Sequence, residues 1–181
     1  MRAEQIAAVE AMLATAGGTV TEASVAEALD DPAVGTAEVR EALETIGRAW
    51  NRPDSGLQLE KVADGWRCVT PPALDPYLRA FHGVTARQRL SQASLEVLAI
   101  VAHRQPVTLP EINFIRGANS ASVLRTLLDR RLLRLAGRKK VVGKPFLYRT
   151  SREFLVHFGL ERPEDLPDPE ELLKDEAAAI E

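Results

Sequence analysis

Cysteine, aromatic side chains and long apolar runs are all scarce in this 181-residue sequence. Cys68 is the sole cysteine, so no intrachain disulfide can form, which is typical of a reducing compartment. Aromatic residues make up only 5% of the chain, so a core must be built mostly from Leu, Val, Ile and Ala. The longest strictly apolar run, Val97–Ala102, falls far short of the roughly 20 residues of a membrane-spanning helix. The first ten residues carry two glutamates and do not resemble a secretory signal. We therefore expect a cytoplasmic protein that does not contact membranes.

Charge is distributed unevenly along the chain. The net charge of −3 divides into −6 over residues 1–84, +10 over residues 85–159 and −7 over residues 160–181. Such shifts indicate domain boundaries. We predict an N-terminal domain at 1–70, a linker helix at 71–84, a basic domain at 85–159 and a partly ordered, proline-containing acidic tail at 160–181. The basic block suits phosphate or an acidic protein partner, or it is a solvated surface balanced by the tail.

Helical periodicity dominates the first fifty residues, and a hairpin pattern follows. Apolar spacing predicts a helix that ends at Gly17-Gly18, a second helix capped by Thr21 and a third that opens at Thr36. Asp64-Gly65 is the turn signal of a hairpin whose second strand ends at Thr70. Three helices followed by a two-stranded hairpin is the order of a winged-helix domain.

The second half repeats this order. The predicted elements are a long helix over Thr85–His103, a short helix from Thr108 to Gly117, a third helix after Asn119 or Ser120, strands at 132–135 and 146–150, and a wing tip at 138–144. The core candidates of the long helix are Leu90, Leu95, Leu98 and Val101. The two halves align, with Val20-Thr21 matching Val107-Thr108 and Leu43 matching Leu127. We predict two tandem winged-helix domains, mainly α with small β-hairpins; chance similarity between two helix-turn-helix patterns is the alternative.

The sequence contains no evident catalytic constellation. The three histidines and Cys68 do not fall at metal-ligand spacing. The segment from Gly137 to Lys144 has one residue too many between its glycines for a phosphate loop, and Pro145 stands where a Ser or Thr would hold magnesium. We therefore predict no enzymatic activity and no cofactor or metal.

Basic residues concentrate on the third helix and the wing of the second predicted domain. In DNA-binding winged helices the third helix enters the major groove and the wing contacts the backbone. The candidates for contact with nucleic acid or an acidic partner are Arg125, Arg130, Arg131, Arg134, Arg138, Lys139, Lys140 and Lys144. The helix itself opens with Asn119-Ser120-Ala121-Ser122, which offers few side chains long enough to read bases. We therefore favour weak, non-specific DNA attraction over sequence recognition.

Arg116 has a different predicted role. It lies between Ile115 and Gly117, at the point where the short helix ends. A partly buried arginine at this position can brace the turn against a carboxylate, either Glu111 or Glu96. We therefore predict a structural role for Arg116.

Several segments of the second domain resemble, in the same order along the chain, the sequences of one protein family. They include Leu90–Ile100, Arg104–Thr108, Ile115–Ser120, Val123–Leu128 and Gly143–Tyr148. Together they resemble segregation and condensation protein B (ScpB), the small accessory subunit of the bacterial SMC chromosome-organising complex. The resemblance covers roughly residues 55–170.

The resemblance implies two winged-helix domains and a homodimer that forms chiefly through the N-terminal domain. It further implies a non-catalytic subunit that binds the kleisin ScpA, contacts the SMC ATPase through it, and acts in chromosome condensation and segregation at the nucleoid. The apolar candidates for the dimer interface are Ile6, Val9, Leu13 and Leu43, for which a purely internal core role is the alternative. The competing hypothesis for the whole chain is a winged-helix DNA-binding regulator.

Overall fold

The computed structural model describes residues 1–83 and 90–167, which form two hydrophobic clusters. The first unit comprises α1 (Ala3–Thr15), α2 (Glu22–Leu29), α3 (Thr36–Trp50), β1 (Gln58–Val62) and β2 (Gly65–Val69). Its buried core consists of Val9, Leu13, Val25, Val34, Val39, Leu43, Ile46, Leu59 and Trp66. The three helices and the hairpin follow the predicted winged-helix order.

Local hydrogen bonds set the helix starts in the first unit. Thr21 Oγ1 accepts from the Ser24 N–H at 3.2 Å, and the Ser24 hydroxyl oxygen accepts from the Thr21 N–H at 3.1 Å. These two bonds satisfy donors that would otherwise lack partners at the helix start. The Glu38 carboxylate likewise accepts from the Gly35 N–H at 2.9 Å, so α3 begins at Thr36 as predicted.

The first hairpin turns one residue earlier than predicted. Its turn residues are Ala63 and Asp64, which are left-handed at φ 51° and 57°, as in a type I′ turn. Gly65 is needed for another reason. A β carbon at Gly65 would lie 2.7 Å from the Val20 carbonyl oxygen, because Val20 and Trp66 exchange backbone hydrogen bonds at 2.8 and 2.7 Å. The glycine therefore permits close approach of two backbones.

Between the two units lie a 3₁₀ turn (Pro72–Leu74) and α4 (Asp75–His82), within the predicted linker segment. The next helix, α5, spans Gln92–Arg104, and Ser91 Oγ caps it by accepting from the Ser94 N–H at 3.2 Å. The predicted start of this helix at Thr85 lies outside the described residues. Leu98 and Val101 are buried as predicted, but Leu95 is 42% exposed because it lies at the edge of the face that α5 turns inward.

The second unit repeats the order with two additions. After α5 come β3 (Val107–Thr108), α6 (Leu109–Arg116), α7 (Ala121–Asp129), β4 (Leu133–Arg138), β5 (Phe146–Thr150) and α8 (Arg152–Phe158). The strands form an antiparallel sheet in the order β3-β5-β4. Neither β3 nor α8 was predicted, since two residues are too few for a periodic signal and seven hold barely two helical turns.

The acidic end of the chain begins as part of the second unit. Leu160 and Leu166 pack against the second hydrophobic cluster, and a 3₁₀ turn at Pro163–Asp165 lies between them. The packed structure therefore continues past residue 159, where the basic domain was predicted to end. Residues 168–181 of the predicted tail lie outside the described residues.

The turn of the first hairpin connects the two units. Val62 and Ala63 are buried within the second hydrophobic cluster rather than the first. The Ala63 N–H donates to the Leu160 carbonyl at 2.9 Å, and Arg152 Nε donates to the Ala63 carbonyl at 3.3 Å. Arg152 Nη2 also donates to Thr19 Oγ1 at 2.9 Å. Both polar groups of the Ala63 backbone are thus satisfied by the other unit.

Candidate functional site

All eight basic candidates are exposed. Arg125 lies on α7, Arg130 and Arg131 directly follow that helix, Arg134 and Arg138 lie on β4, and Lys139, Lys140 and Lys144 lie in the loop between β4 and β5. Because burying a charge without a partner is costly, exposure was expected for the four wing cations, and the structure confirms it. The arrangement gives the second unit a positively charged helix end and wing.

The base of the wing is held by contacts of Arg138. Its guanidinium lies 3.9 Å from the centroid of the Phe146 ring, and Nη1 donates to the Lys144 carbonyl at 3.1 Å. A cation–π contact at an exposed site stabilises by about 0.5–1 kcal/mol. Arg138 therefore helps to stabilise the wing itself. The side chains of Lys140 and Lys144 are exposed at the tip of the wing.

A second contact ties the wing to α6. The Lys139 ammonium pairs with the Glu111 carboxylate, which also accepts from the Thr108 N–H at 2.8 Å and from Thr108 Oγ1 at 2.7 Å. The hydrogen bond from Lys139, followed by those from Thr108, lowers the pKa of Glu111 to about 2. Glu111 is therefore ionised at neutral pH, and it compensates part of the charge of Lys139.

Arg116 connects three helices of the second unit. Its Nη2 and Nε donate to the Glu96 carboxylate on α5 at 2.8 and 3.2 Å, and its Nη1 donates to Ser120 Oγ at 3.0 Å. The side chain is only 12% exposed. Asn113 Oδ1 accepts from the Ser120 N–H at 2.8 Å, so the start of α7 is held from two sides. Of the two carboxylates considered from the sequence, Arg116 contacts Glu96, while Glu111 pairs with Lys139.

An open groove of about 920 Å³ lies between the two units. The first unit contributes Thr19 and Arg67 to its lining, and the second contributes Leu95, Arg152 and Phe158, among others. Leu95 and Phe158 are 42% and 43% exposed. Glu153 also lines the groove, and Arg67 is ion-paired with Glu60. The groove therefore combines accessible apolar side chains with charges of both signs, which suits an amphipathic segment.

Three of the four apolar dimer candidates are core residues. Val9 and Leu43 are 0% exposed and Leu13 is 3% exposed, all inside the first hydrophobic cluster. Their side chains cannot touch a partner in this fold, so their assignment to the interface was wrong. Ile6 is only partly buried at the edge of the cluster and remains a candidate. Helical spacing identifies an apolar face, but it does not say whether the domain's own core or a partner covers it.

The described part of the chain gives no sign of a metal centre or a membrane span. Within residues 1–83 and 90–167, no three His, Cys, Asp or Glu side chains are grouped so that they could hold a metal ion. In the same residues, no helix is both long and apolar enough to cross a membrane. Cys68 is partly buried, and burial raises the pKa of its thiol, so the protonated form dominates at neutral pH.

The chain has a mixed α+β fold, and its two successive arrays of three helices and a hairpin follow the order of winged-helix domains. The family model described as "Segregation and condensation complex subunit ScpB" matches residues 7–169. The chain therefore belongs to the ScpB family, as the resemblance read from its sequence implied, and it is a component of the segregation and condensation complex.

The chain is also similar to individual curated proteins and solved structures. The segregation and condensation protein B of Syntrophotalea carbinolica is 42% identical over 162 residues, which cover 89% of this chain and 80% of that protein. A crystal structure of ScpB from Mycobacterium tuberculosis is 33% identical with a TM-score of 0.40, covering 87% of this chain and 96% of that one. A crystal structure of a dimer of the ScpB N-terminal domain complexed with an ScpA peptide is 26% identical with a TM-score of 0.38, covering 42% of this chain and 91% of that one.

Proposed function

We propose that this chain is a non-catalytic accessory subunit that binds the kleisin ScpA as a homodimer. The observation that carries the proposal is the family match across residues 7–169, which includes both winged-helix units. Through the kleisin the subunit would contact the SMC ATPase, which hydrolyses ATP, and would act at the nucleoid in the cytoplasm. We retain residues 1–70 as the first domain and 71–84 as the linker. The second domain is extended from 85–159 to Leu166, because Leu160 and Leu166 pack on its core.

We assign the kleisin to the groove between the two units. Leu95 and Phe158 offer apolar anchors there, and Arg152 and Glu153 place one charge of each sign in the lining beside the Arg67–Glu60 ion pair. A kleisin segment with apolar residues on one side and charged residues on the other would complement both features. The charge pattern would speed encounter and select the partner, while the apolar anchors would supply most of the affinity.

Co-purification with ScpA from the same genome, followed by native mass measurement, tests this proposal. We expect a complex that contains two copies of this chain. Leu95→Glu should weaken the complex at least tenfold, whereas Phe114→Glu, on a residue of α6 that is 89% exposed, should not. Absence of any complex would contradict the proposed function. A complex insensitive to Leu95→Glu would contradict only the assignment of the groove.

A second candidate function is weak, non-specific DNA binding by the wing. The exposed cations of α7 and the wing favour it, and the small residues at the start of α7 disfavour sequence recognition. Replacing Arg138, Lys139, Lys140 and Lys144 by Gln should flatten the salt dependence of DNA affinity by about one unit of slope per lost phosphate contact. Replacing Arg2, Arg40, Arg48 and Arg52 of the first unit removes the same charge and is the matched control.

Each outcome of this substitution identifies a role for the wing. An unchanged salt dependence would make the wing a solvated surface. Loss of kleisin affinity would mean that the wing binds an acidic segment of the kleisin. A tight, sequence-specific DNA site that tolerates physiological salt would instead favour the DNA-binding regulator.

A further inference from the structure

The wing of the second unit ends in a closed turn that carries an apolar residue. The Lys144 N–H donates to the Val141 carbonyl at 2.9 Å, and Gly143 lies between them at φ 80°, as in a type II turn. Val142, the residue before that glycine, is fully exposed, and Val141 is 48% exposed. The turn therefore holds an aliphatic side chain in solvent at the tip of the wing.

Contacts at the base of the wing restrain the loop that carries this turn. The Lys139 N–H donates to the Pro145 carbonyl at 2.9 Å, which joins the two sides of the loop. The Lys139 ammonium pairs with Glu111 on α6, and the Arg138 guanidinium lies over the Phe146 ring. A restrained loop loses little conformational freedom when it binds a partner, so this arrangement suits an interaction surface.

Positive charge surrounds the apolar turn. Lys140 and Lys144 are both exposed, and they directly flank the turn in the sequence. Arg134 and Arg138 lie on β4, the strand that leads into the wing. A complementary partner therefore presents anionic groups on both sides of a narrow slot, and the slot accepts a small aliphatic side chain.

We propose that the wing inserts Val142 into the minor groove of double-stranded DNA, while Lys140 and Lys144 contact the phosphates on its two sides. The proposal rests on the second candidate function, weak DNA binding by the wing, and it adds the groove and the contact residue. The minor groove is about 6 Å wide and runs between the phosphates of both strands. Proteins that bind it combine basic side chains with apolar side chains inserted at base steps.

Two other kinds of partner fit the wing less well. An anionic membrane would attract the same lysines, but a myristoyl chain by itself binds bilayers only marginally, and two valine side chains bury much less apolar surface. An acidic protein segment would neutralise the lysines without needing an aliphatic side chain between them. Double-stranded DNA accounts for both the flanking charges and the exposed Val142.

The first test separates the apolar contact from the charges. Val142→Ser should weaken binding of the intact chain to a short DNA duplex about tenfold, through loss of apolar burial, and should leave the salt dependence unchanged because no phosphate contact is lost. Lys140→Gln with Lys144→Gln should instead flatten the salt dependence by about two units of slope. Leu57→Ser removes an exposed apolar side chain from the first unit and is the matched control.

The folding of these variants is checked independently. Because Val142 is fully exposed, its replacement should leave the thermal unfolding midpoint unchanged. A folded Val142→Ser variant with wild-type affinity for DNA would overturn the proposal. Weaker binding of that variant to phosphatidylglycerol vesicles or to ScpA, with DNA affinity unchanged, would identify a membrane or an acidic protein as the partner and would also overturn it.

The second test identifies the groove. Guanine places an amino group in the minor groove, and inosine lacks that group while presenting the same major-groove edge. The wild-type chain should therefore bind an inosine–cytosine duplex about fivefold more tightly than the matching guanine–cytosine duplex. Val142→Ser should remove most of this difference. Equal affinity of the wild-type chain for the two duplexes would overturn insertion into the minor groove.

These outcomes are distinguishable from failure of the proposed functions. If the wild-type chain binds no DNA even at low salt, the second candidate function and this proposal are both wrong, and the kleisin-binding function stands. If it binds DNA equally well with and without Val142, only the insertion is wrong.

Discussion

The wings of the two units occupy the same place in the winged-helix order, but one is buried against the other unit and the other is exposed to solvent. The first is a two-residue turn, Ala63-Asp64, and Ala63 is buried against the other unit with both backbone groups bonded there. The second is the longer loop from Lys139 to Pro145, which is exposed over most of its length and carries three lysines. A tight turn with a small residue at its tip can dock into a neighbour, whereas a lysine-rich loop stays solvated. A repeated element in one chain therefore need not repeat its role.

The two halves of the chain are most alike at the start of the second helix and in the buried face of the third. Thr21 and Thr108 are both N-cap residues, and the side chains of Ser24 and Glu111 accept from their respective backbone N–H groups. Leu43 and Leu127 both lie in the third helix of their unit, and both are fully buried. The halves differ in the wing and in the additional helix α8, which are the parts that contact the other unit or solvent.

Matched core truncations should have the largest effect. Leu43→Ala and Leu127→Ala each remove a fully buried side chain, so each should lower the free energy of unfolding of its own unit by about 2–5 kcal/mol. Urea unfolding followed by hydrogen exchange in each unit measures this loss. If either substitution left the free energy of unfolding of its unit nearly unchanged, the two cores would not be equivalent.

A glycine substitution tests the close backbone approach in the first unit. Gly65→Ala places a β carbon 2.7 Å from the Val20 carbonyl oxygen, so it should cost about 1–3 kcal/mol in urea unfolding. Gly56→Ala is the control, because a β carbon there meets nothing within 4 Å. Equal stability of the two variants would mean that the Val20–Trp66 bridge does not constrain residue 65.

Loss of the inter-unit hydrogen bonds should have a smaller effect. Arg152→Ala removes the donors to the Ala63 carbonyl and to Thr19, and net hydrogen bonds are worth about 0.5–1.5 kcal/mol each. We expect faster exchange of the Ala63 amide with the core of each unit intact. Arg149→Ala, an exposed arginine on β5, is the control and should leave that amide unchanged.

The smallest effect should come from the ion pair at the base of the wing. Because the folded-state pKa of Glu111 is lowered to about 2, the pair contributes stability above the ordinary pKa of 4.5, and this contribution disappears as the pH falls from 4.5 towards 2. Both side chains are more than 40% exposed, so the contribution at pH 7 should be below about 1 kcal/mol. Glu111→Gln should remove this pH dependence, as followed by thermal unfolding. A variant that keeps the wild-type pH profile would contradict the assignment.

Much of the fold could be predicted because its signals are local. Thr21, Thr108 and Gly117 mark helix ends through bonds or backbone angles within a few residues, and the structure has all three at the predicted places. The exposure of the wing cations was also predictable, since unpaired charges avoid burial. The Ala63-Asp64 turn was missed because Asn-Gly and Asp-Gly are the usual sequence signals of a two-residue hairpin turn. No neighbouring residue indicates that Gly65 is needed for the close approach of the Val20 backbone.

Properties that depend on contacts between distant segments could not be predicted. Val9 and Leu95 both sit at helical spacing with other apolar residues, yet Val9 is buried in the first core and Leu95 lines the groove. The docking of Ala63 against Leu160 joins residues almost a hundred positions apart. The carboxylate that Arg116 contacts likewise depends on the packing of α5 against α6.

Amide hydrogen exchange at single-residue resolution tests the contrast between the two wings most directly. In the intact wild-type chain, the Ala63 amide should exchange far more slowly than the amides of residues 140–143, because Ala63 is buried and bonded to the Leu160 carbonyl at 2.9 Å. Exchange of Ala63 as fast as that of the exposed wing tip would contradict the account, because the first wing would then not be docked on the second unit.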